Sequence, residues 1–212
     1  GRPCQATLAL NRTLPRLTAR TWSFLHIEPD ALTNRYEIAY DIQDARTDRL
    51  TFLLPETTPE MLTVRGLDEL PLKEQINRGS EGGRRRWEVL LAEPRRGTVR
   101  IAVDFTQPLS QQKTTSLSQN RRGLAHFAES SEQNVPVPFS PGGFGIGPGK
   151  LALPIVLAGQ VAYQSGFVAV EGTAELEVEI TAAEPARRVD IGELVDAEYQ
   201  PQRRLLGVFG FV

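Results

Sequence analysis

Along much of this chain apolar and polar residues change places at every step. In NRYEIAYDIQ the residues Tyr36, Ile38, Tyr40 and Ile42 fall on one face, with charged or small residues between them. TVRIAVDF repeats the arrangement with Val99, Ile101, Val103 and Phe105. AELEVEITA sets Leu176, Val178 and Ile180 against Glu175, Glu177 and Glu179. A period of two places alternate side chains on opposite faces of a strand, so these segments predict sheets with one dry and one wet face. Weaker strands are predicted at Thr21–Glu28, Arg49–Leu54, Met61–Arg65, Trp87–Leu91, Val161–Gln164 and Gly166–Glu171.

Turn signals separate these runs: EPDALTN, PETTPE, RGSEGG, EPRRG and QSG, which hold five of the 18 Gly and four of the 15 Pro. Helix signals are sparse. DIGELVDAEY, Asp190 to Tyr199, is the best candidate, stopping before Pro201. Short strands at regular spacing with at most one short helix predict an all-β fold, an antiparallel β-sandwich with a second, smaller β element. Gln107 to Asn134 is rich in Gln, Ser, Thr and Asn, too long for an ordinary loop. The expected division is therefore a β-sandwich over 1–108, a polar linker or insertion over 109–134, and a second β-rich element over 135–212 packed on the first, with a single discontinuous sandwich as the alternative.

Composition narrows the function. At 212 residues the chain can bury a full core, and 40% hydrophobic with 24% charged residues suits a folded protein. The formal net charge is -2, so no overall basic field draws it to nucleic acid. Cys4 is the single cysteine, which excludes an intrachain disulfide and a cysteine-built zinc site. No run approaches the about 18 apolar residues of a membrane helix, so any membrane contact is expected through segments outside this chain. The opening GRPCQATLAL and the closing LLGVFGFV lead to the expectation of a piece of a longer protein.

The candidate chemistry is thin. In PGGFGIGPGK, Pro141 to Lys150, Phe144 stands where a phosphate-binding loop needs its first glycine, and Leu151 stands where it needs a hydroxyl. The dinucleotide fingerprint fails as well, and the glycines are expected to serve as a connector. His26 is expected to face a neighbouring strand. His126, in GLAHFAES near Ser130 and Ser131, could serve as base to a serine nucleophile, but no G-x-S-x-G elbow occurs. The doublets at Arg95–Arg96, Arg121–Arg122, Arg187–Arg188 and Arg203–Arg204, with RRRWE at Arg84 to Glu88, are expected to pair with the many carboxylates or to meet an acidic partner. Trp22 and Trp87 would form a sugar platform only if exposed, and their apolar strand neighbours predict burial. Asn11-Arg12-Thr13 is a formal glycosylation sequon. No catalytic, cofactor or metal residue is assigned.

The stretch WSFLHIEPDALTNRYEIAYDIQDARTDRLTFLLPETTPEMLTVRGL resembles the opening of the N-terminal β domain of gluzincin-type zinc aminopeptidases, and also β-sandwich segments of large bacterial envelope proteins. GFVAVEG, LEVEI and RRVDIGEL look like the segment that follows such a sandwich. The family's H-E-x-x-H and G-x-M-E-N motifs do not occur in this sequence, so the resemblance implies a non-catalytic sandwich. Three functions follow as expectations: a structural or interaction segment of a larger, bacterial, extracytoplasmic or membrane-anchored protein; a carbohydrate-binding module; and a hydrolase with His126 in a site within 107–150.

Overall fold

The computed structural model describes residues 13–109, 145–146, 153–174, 180–181 and 186–212. Cys4, Asn11, the polar insertion beyond residue 109 with His126, most of the glycine run, and Glu175, Glu177 and Glu179 lie outside the described residues.

Eleven strands are described, with no α-helix: β1 (Arg16–Ile27), β2 (Ala31–Pro55), β3 (Thr63–Gly66), β4 (Leu72–Glu81), β5 (Arg84–Pro108), β6 (Gly145–Ile146), β7 (Leu157–Gly159), β8 (Tyr163–Gly172), β9 (Ile180–Thr181), β10 (Arg187–Arg188) and β11 (Arg204–Phe211). Nine of them make one open sheet in the order β10-β11-β8-β1-β2-β5-β3, with β4 added to β5 and β7 to β2. The all-β expectation holds. Every ladder is antiparallel except β1 against β8, which is parallel. Strands from both sides of residues 109–134 therefore belong to one sheet. Within the glycine run, Gly145 and Ile146 pair with Thr181 and Ile180.

β2 and β5 run 25 residues each, so EPRRG is not a turn between strands but lies inside β5. The long ladder breaks register between Ile42 and Arg49. Asp44 at φ 64 and Gly97 at φ 85 supply left-handed backbone there, as a bulge requires. The sheet bends at this break and its two halves share one core. Tyr36, Ile38, Tyr40, Val99, Ile101 and Val103 of one half pack in the same cluster as Leu50, Phe52, Leu54, Trp87 and Val89 of the other. The Tyr40 hydroxyl spans the layers, donating to the Thr51 carbonyl at 2.8 Å. Tyr36 likewise donates to Pro154 O at 2.6 Å. Burial pushes both phenols well above their ordinary titration range.

Two glutamines finish strand edges by imitating a backbone. Gln164 accepts from Ala158 N at 2.8 Å and donates to Val156 O at 3.2 Å. Gln75 accepts from Val64 N and donates to Leu62 O.

QSG is not a turn either, because Gly166 sits within β8. A methyl group there would collide with the Thr21 hydroxyl and lie 2.7 Å from both the Thr21 carbonyl oxygen and the Phe211 ring. Gly166→Ala is expected to cost about 1–3 kcal/mol. In a chain of this size that lowers the melting temperature by roughly 2–4 °C per kcal/mol; calorimetry checks it, and an unchanged melt would mean that β8 packs less closely on β1 and β11.

The expected helix over Asp190–Tyr199 is replaced by a single 3-10 turn, Ile191–Glu193, whose N-cap Asp190 accepts from Gly192 N at 2.8 Å. Asp196 at φ 69 is left-handed and stops helical propagation. The segment 189–203 is instead an irregular strap joining β10 to β11, lying on the sheet face opposite the main core.

Candidate functional site: the arginine-rich outer face

Alternation sends one set of strand residues outward, and the ladder lines them up in rows. Trp22 stands opposite both Glu37 and Phe167, and Glu37 opposite Ala102, whose other neighbour is Arg65. One row away Arg20, Ala39 and Arg100 are paired, and on the other side Phe24, Arg35 and Asp104. Outward neighbours in adjacent rows stand within reach of a long side chain. Arg20, Arg35, Arg65 and Arg100 thus converge around Glu37, with Ala39 and Ala102 leaving room between them.

Glu37 is fully buried, and the strap is the reason. Its carboxylate accepts the backbone N–H groups of Glu198 at 2.8 Å and Tyr199 at 2.7 Å. Arg100 Nη2 donates to it at 3.2 Å, and Arg35 Nε stands at 3.6 Å as an ion pair. Glu171, also buried, accepts from the Tyr199 hydroxyl at 3.0 Å and from Arg203 N at 3.1 Å. Two carboxylates from the sheet thereby satisfy strap donors that no backbone ladder reaches.

The strap's own carboxylates complete the network. Glu198 pairs with Arg35 and Arg65, each at 3.2 Å. Asp196 pairs with Arg20 at 3.4 Å, and its carbonyl accepts from Arg100 at 2.9 Å. Asp104 and Asp68 share the same cations, at 3.7 Å from Arg65 and 3.4 Å from Arg100. Arg20 lies over the Trp22 and Phe167 rings at 5.2 and 5.3 Å, and Arg35 over Tyr199 at 5.1 Å. Beneath the strap, Trp22, Phe24, Ala169, Val208 and Leu194 form a second apolar cluster separate from the main core.

Burial pulls the Asp104 carboxyl above its ordinary range, against the opposing charges of Arg35 and Arg65. For Glu198, burial pulls upward too, but hydrogen bonds and charge from Arg65 and Arg35 outweigh it, so this carboxyl titrates below the usual range. A depressed folded value means that the strap stabilisation from Glu198 is whole above the unfolded glutamate value of about 4.3 and is lost as pH falls below it. Trp22 emission, read in a Trp87→Phe background, is expected to shift red over that window before global unfolding. Glu198→Gln should remove this early phase; its persistence in that variant would assign the change to another group.

The residues singled out in the sequence are placed as follows. Trp22 and Trp87 are both buried, at 2% and 4% exposure, so they do not form an exposed sugar platform. Trp87 stacks on Phe52 with centroids 6.3 Å apart. His26 projects outward beside Glu171, its Nε2 hydrogen-bonded to Arg203 Nη1 and 3.4 Å from Glu28 Oε1. Of the arginine runs, Arg84 donates to Ile155 O at 3.3 Å and Arg85 to Thr58 O at 2.6 Å, holding loops to the sheet. The cations that gather are isolated arginines. Their signal was the polar half of the alternation, where Arg35, Glu37 and Arg100 occupy outward positions with alanine between them. Among the described residues no group of three His, Cys, Asp or Glu side chains could hold a metal ion.

No protein-family model matches the sequence, and no curated protein does. Among solved structures, native leukotriene A4 hydrolase from Saccharomyces cerevisiae matches with a TM-score of 0.35 and 9% identity, covering 93% of this chain and 26% of that chain. This chain thus spans about a quarter of that protein, which belongs to the gluzincin aminopeptidase family, and the likeness is weak and at the level of the fold alone.

Proposed function

We propose that this chain is a non-catalytic β domain serving as scaffold and interaction surface within a larger bacterial protein, extracytoplasmic or membrane-anchored. One observation carries the structural role: the two carboxylates buried beneath the strap, Glu37 and Glu171, have both oxygens engaged by donors from the chain itself. A general base needs a lone pair directed at a substrate proton. Glu37 spends its oxygens on two backbone N–H groups and Arg100, with Arg35 alongside, and Glu171 spends its own on Tyr199 and Arg203. The partners are other domains of the same polypeptide or separate proteins, met through the outer face and the sheet edges.

The test is a panel of ester, peptide and glycoside substrates presented to the purified chain, with no turnover above the buffer rate expected. Turnover that copurifies with the chain, and that folded Glu37→Gln or Glu171→Gln protein lacks, would overturn the reading. Placement is tested apart from this: an alkaline phosphatase fusion to the parent gene product should be active, and activity confined to a cytoplasmic reporter would refute an extracytoplasmic site.

A further inference from the structure

We propose that the outer face of the sheet is a docking surface for an acidic, apolar-studded peptide segment of a protein partner, and that the strap occupies it in cis as a pseudo-ligand. This deepens the interaction role above and rests on it.

Charge complementarity supplies the partner's chemistry. Residues 189–202 carry Asp190, Glu193, Asp196 and Glu198 and neither Lys nor Arg. Two of these carboxylates fall on the outer-face arginines, Asp196 on Arg20 and Glu198 on Arg35 and Arg65. The strap also offers two consecutive backbone N–H groups to Glu37 and sends Leu194 and Tyr199 into the apolar cluster around Trp22 and Phe24. A peptide with an aliphatic and an aromatic residue flanking two spaced carboxylates can reproduce all of these contacts.

The strap is also built to leave without unfolding the rest. It is anchored mainly through side-chain carboxylates and exposed ion pairs, and its apolar residues join a cluster distinct from the core that unites the two halves of the sheet. Few ladder bonds and a small separate cluster are the marks of a unit that opens locally. Ile191 and Val195 stay half exposed on its outer side, so it is not buried from above. A partner peptide competes with the strap, and its apparent affinity is reduced by the fraction of molecules whose strap is open.

The experiment uses the whole chain and two probes. Native-state hydrogen exchange reads the amides of Glu198, Tyr199 and Arg203, which should exchange faster than core amides of β2 and β5 and with little dependence on denaturant. A fluorescein-labelled peptide of the sequence VDIGELVDAEYQPQ is titrated into the parent chain and into an Asp196→Asn/Glu198→Gln variant. Asp196 and Glu198 side chains are 71% and 45% exposed, so the variant should keep the parent melt within a few degrees, which calorimetry checks. The variant should bind the peptide about tenfold more tightly, equivalent to about 1.4 kcal/mol of strap stability. A peptide with its four acids replaced by amides should bind at least tenfold more weakly. Strap amides that exchange only with global unfolding overturn the proposal, as does equal binding of the two peptides or no saturable binding to the variant. Such a failure leaves the scaffold reading standing, whereas turnover in the substrate panel would remove that reading and leave the exchange and peptide results intact.

Discussion

Replacing Glu37 with alanine is expected to destabilise the protein by about 3–5 kcal/mol, as expected when one partner of a buried ion pair is removed. The loss has three parts with one origin. Two strap N–H groups, on Glu198 and Tyr199, lose their acceptor in a site with no exposure to water. Arg100 and Arg35 lose the charge that compensates them, at 3.2 and 3.6 Å. The strap then loses its grip on Trp22 and Phe24, and the satellite cluster becomes wet. At roughly 2–4 °C per kcal/mol, a melting temperature lower by roughly 6–20 °C is expected. Glu37→Gln should fall less, since one amide oxygen can still accept while the amide nitrogen faces a donor. A melt for Glu37→Ala within 2 °C of the parent, about 1 kcal/mol at most, would show that the strap is not held by this carboxylate.

Trp87→Ala is expected to cost about 3–5 kcal/mol as well, but through the main core. Trp87 is buried near the start of β5, stacked on Phe52 and packed in the cluster that joins the two halves. Truncation leaves a cavity in the contact that keeps the halves together, so the whole domain should unfold earlier in one transition. Trp22→Ala removes a side chain of the same chemistry from the other cluster, beneath the strap. Its expected signature is different: strap amides lose exchange protection while amides of β2 and β5 keep theirs at low denaturant. Identical exchange patterns for the two variants would mean that the clusters melt as one unit, contrary to their separation in the fold.

The contrast between these two tryptophans indicates where the sequence was legible. Both were expected to be buried and both are, because apolar neighbours at alternate positions report burial whichever face is involved. Which cluster each joins was not written locally. The strands with strong alternation were legible for the same reason: Tyr36 to Ile42 and Val99 to Phe105 do face the core. β4 went unpredicted because LKEQINRGSE has Leu72 and Ile76 as its only apolar residues, an edge strand with little to bury. β11 was missed for the opposite reason. Val208 enters the strap cluster while Phe209 and Phe211 enter the main core, so a strand covered on both faces shows no alternation. The Gly and Pro of EPRRG and QSG marked a bulge and a tight packing contact rather than chain reversals, which residue type alone does not distinguish.

The outer-face site was harder still to find. Outward arginines and glutamates are what any solvated face carries, and the adjacent doublets drew the eye instead. Glu37 becomes a buried anchor only because Tyr199, 162 residues away, is laid over it. Asp190 to Tyr199 had the composition of a short amphipathic helix. It gave up helical hydrogen bonding because the sheet offered two of its N–H groups the Glu37 carboxylate and its own carboxylates several guanidinium groups, a tertiary bargain that local propensity does not register.

What the sequence determined by itself was the period-two distribution of apolar side chains, and with it an all-β protein with a dry face and a charged one. That follows because side-chain direction along a strand is a local property of the backbone. Tertiary structure alone decided the parallel pairing of β1 with β8, the bend that folds one sheet into two layers, and the closure of the strap over Glu37 and Glu171. Those outcomes depend on which distant segments come together, and burial, which turns an ordinary surface glutamate into an anchor, exists only once they have.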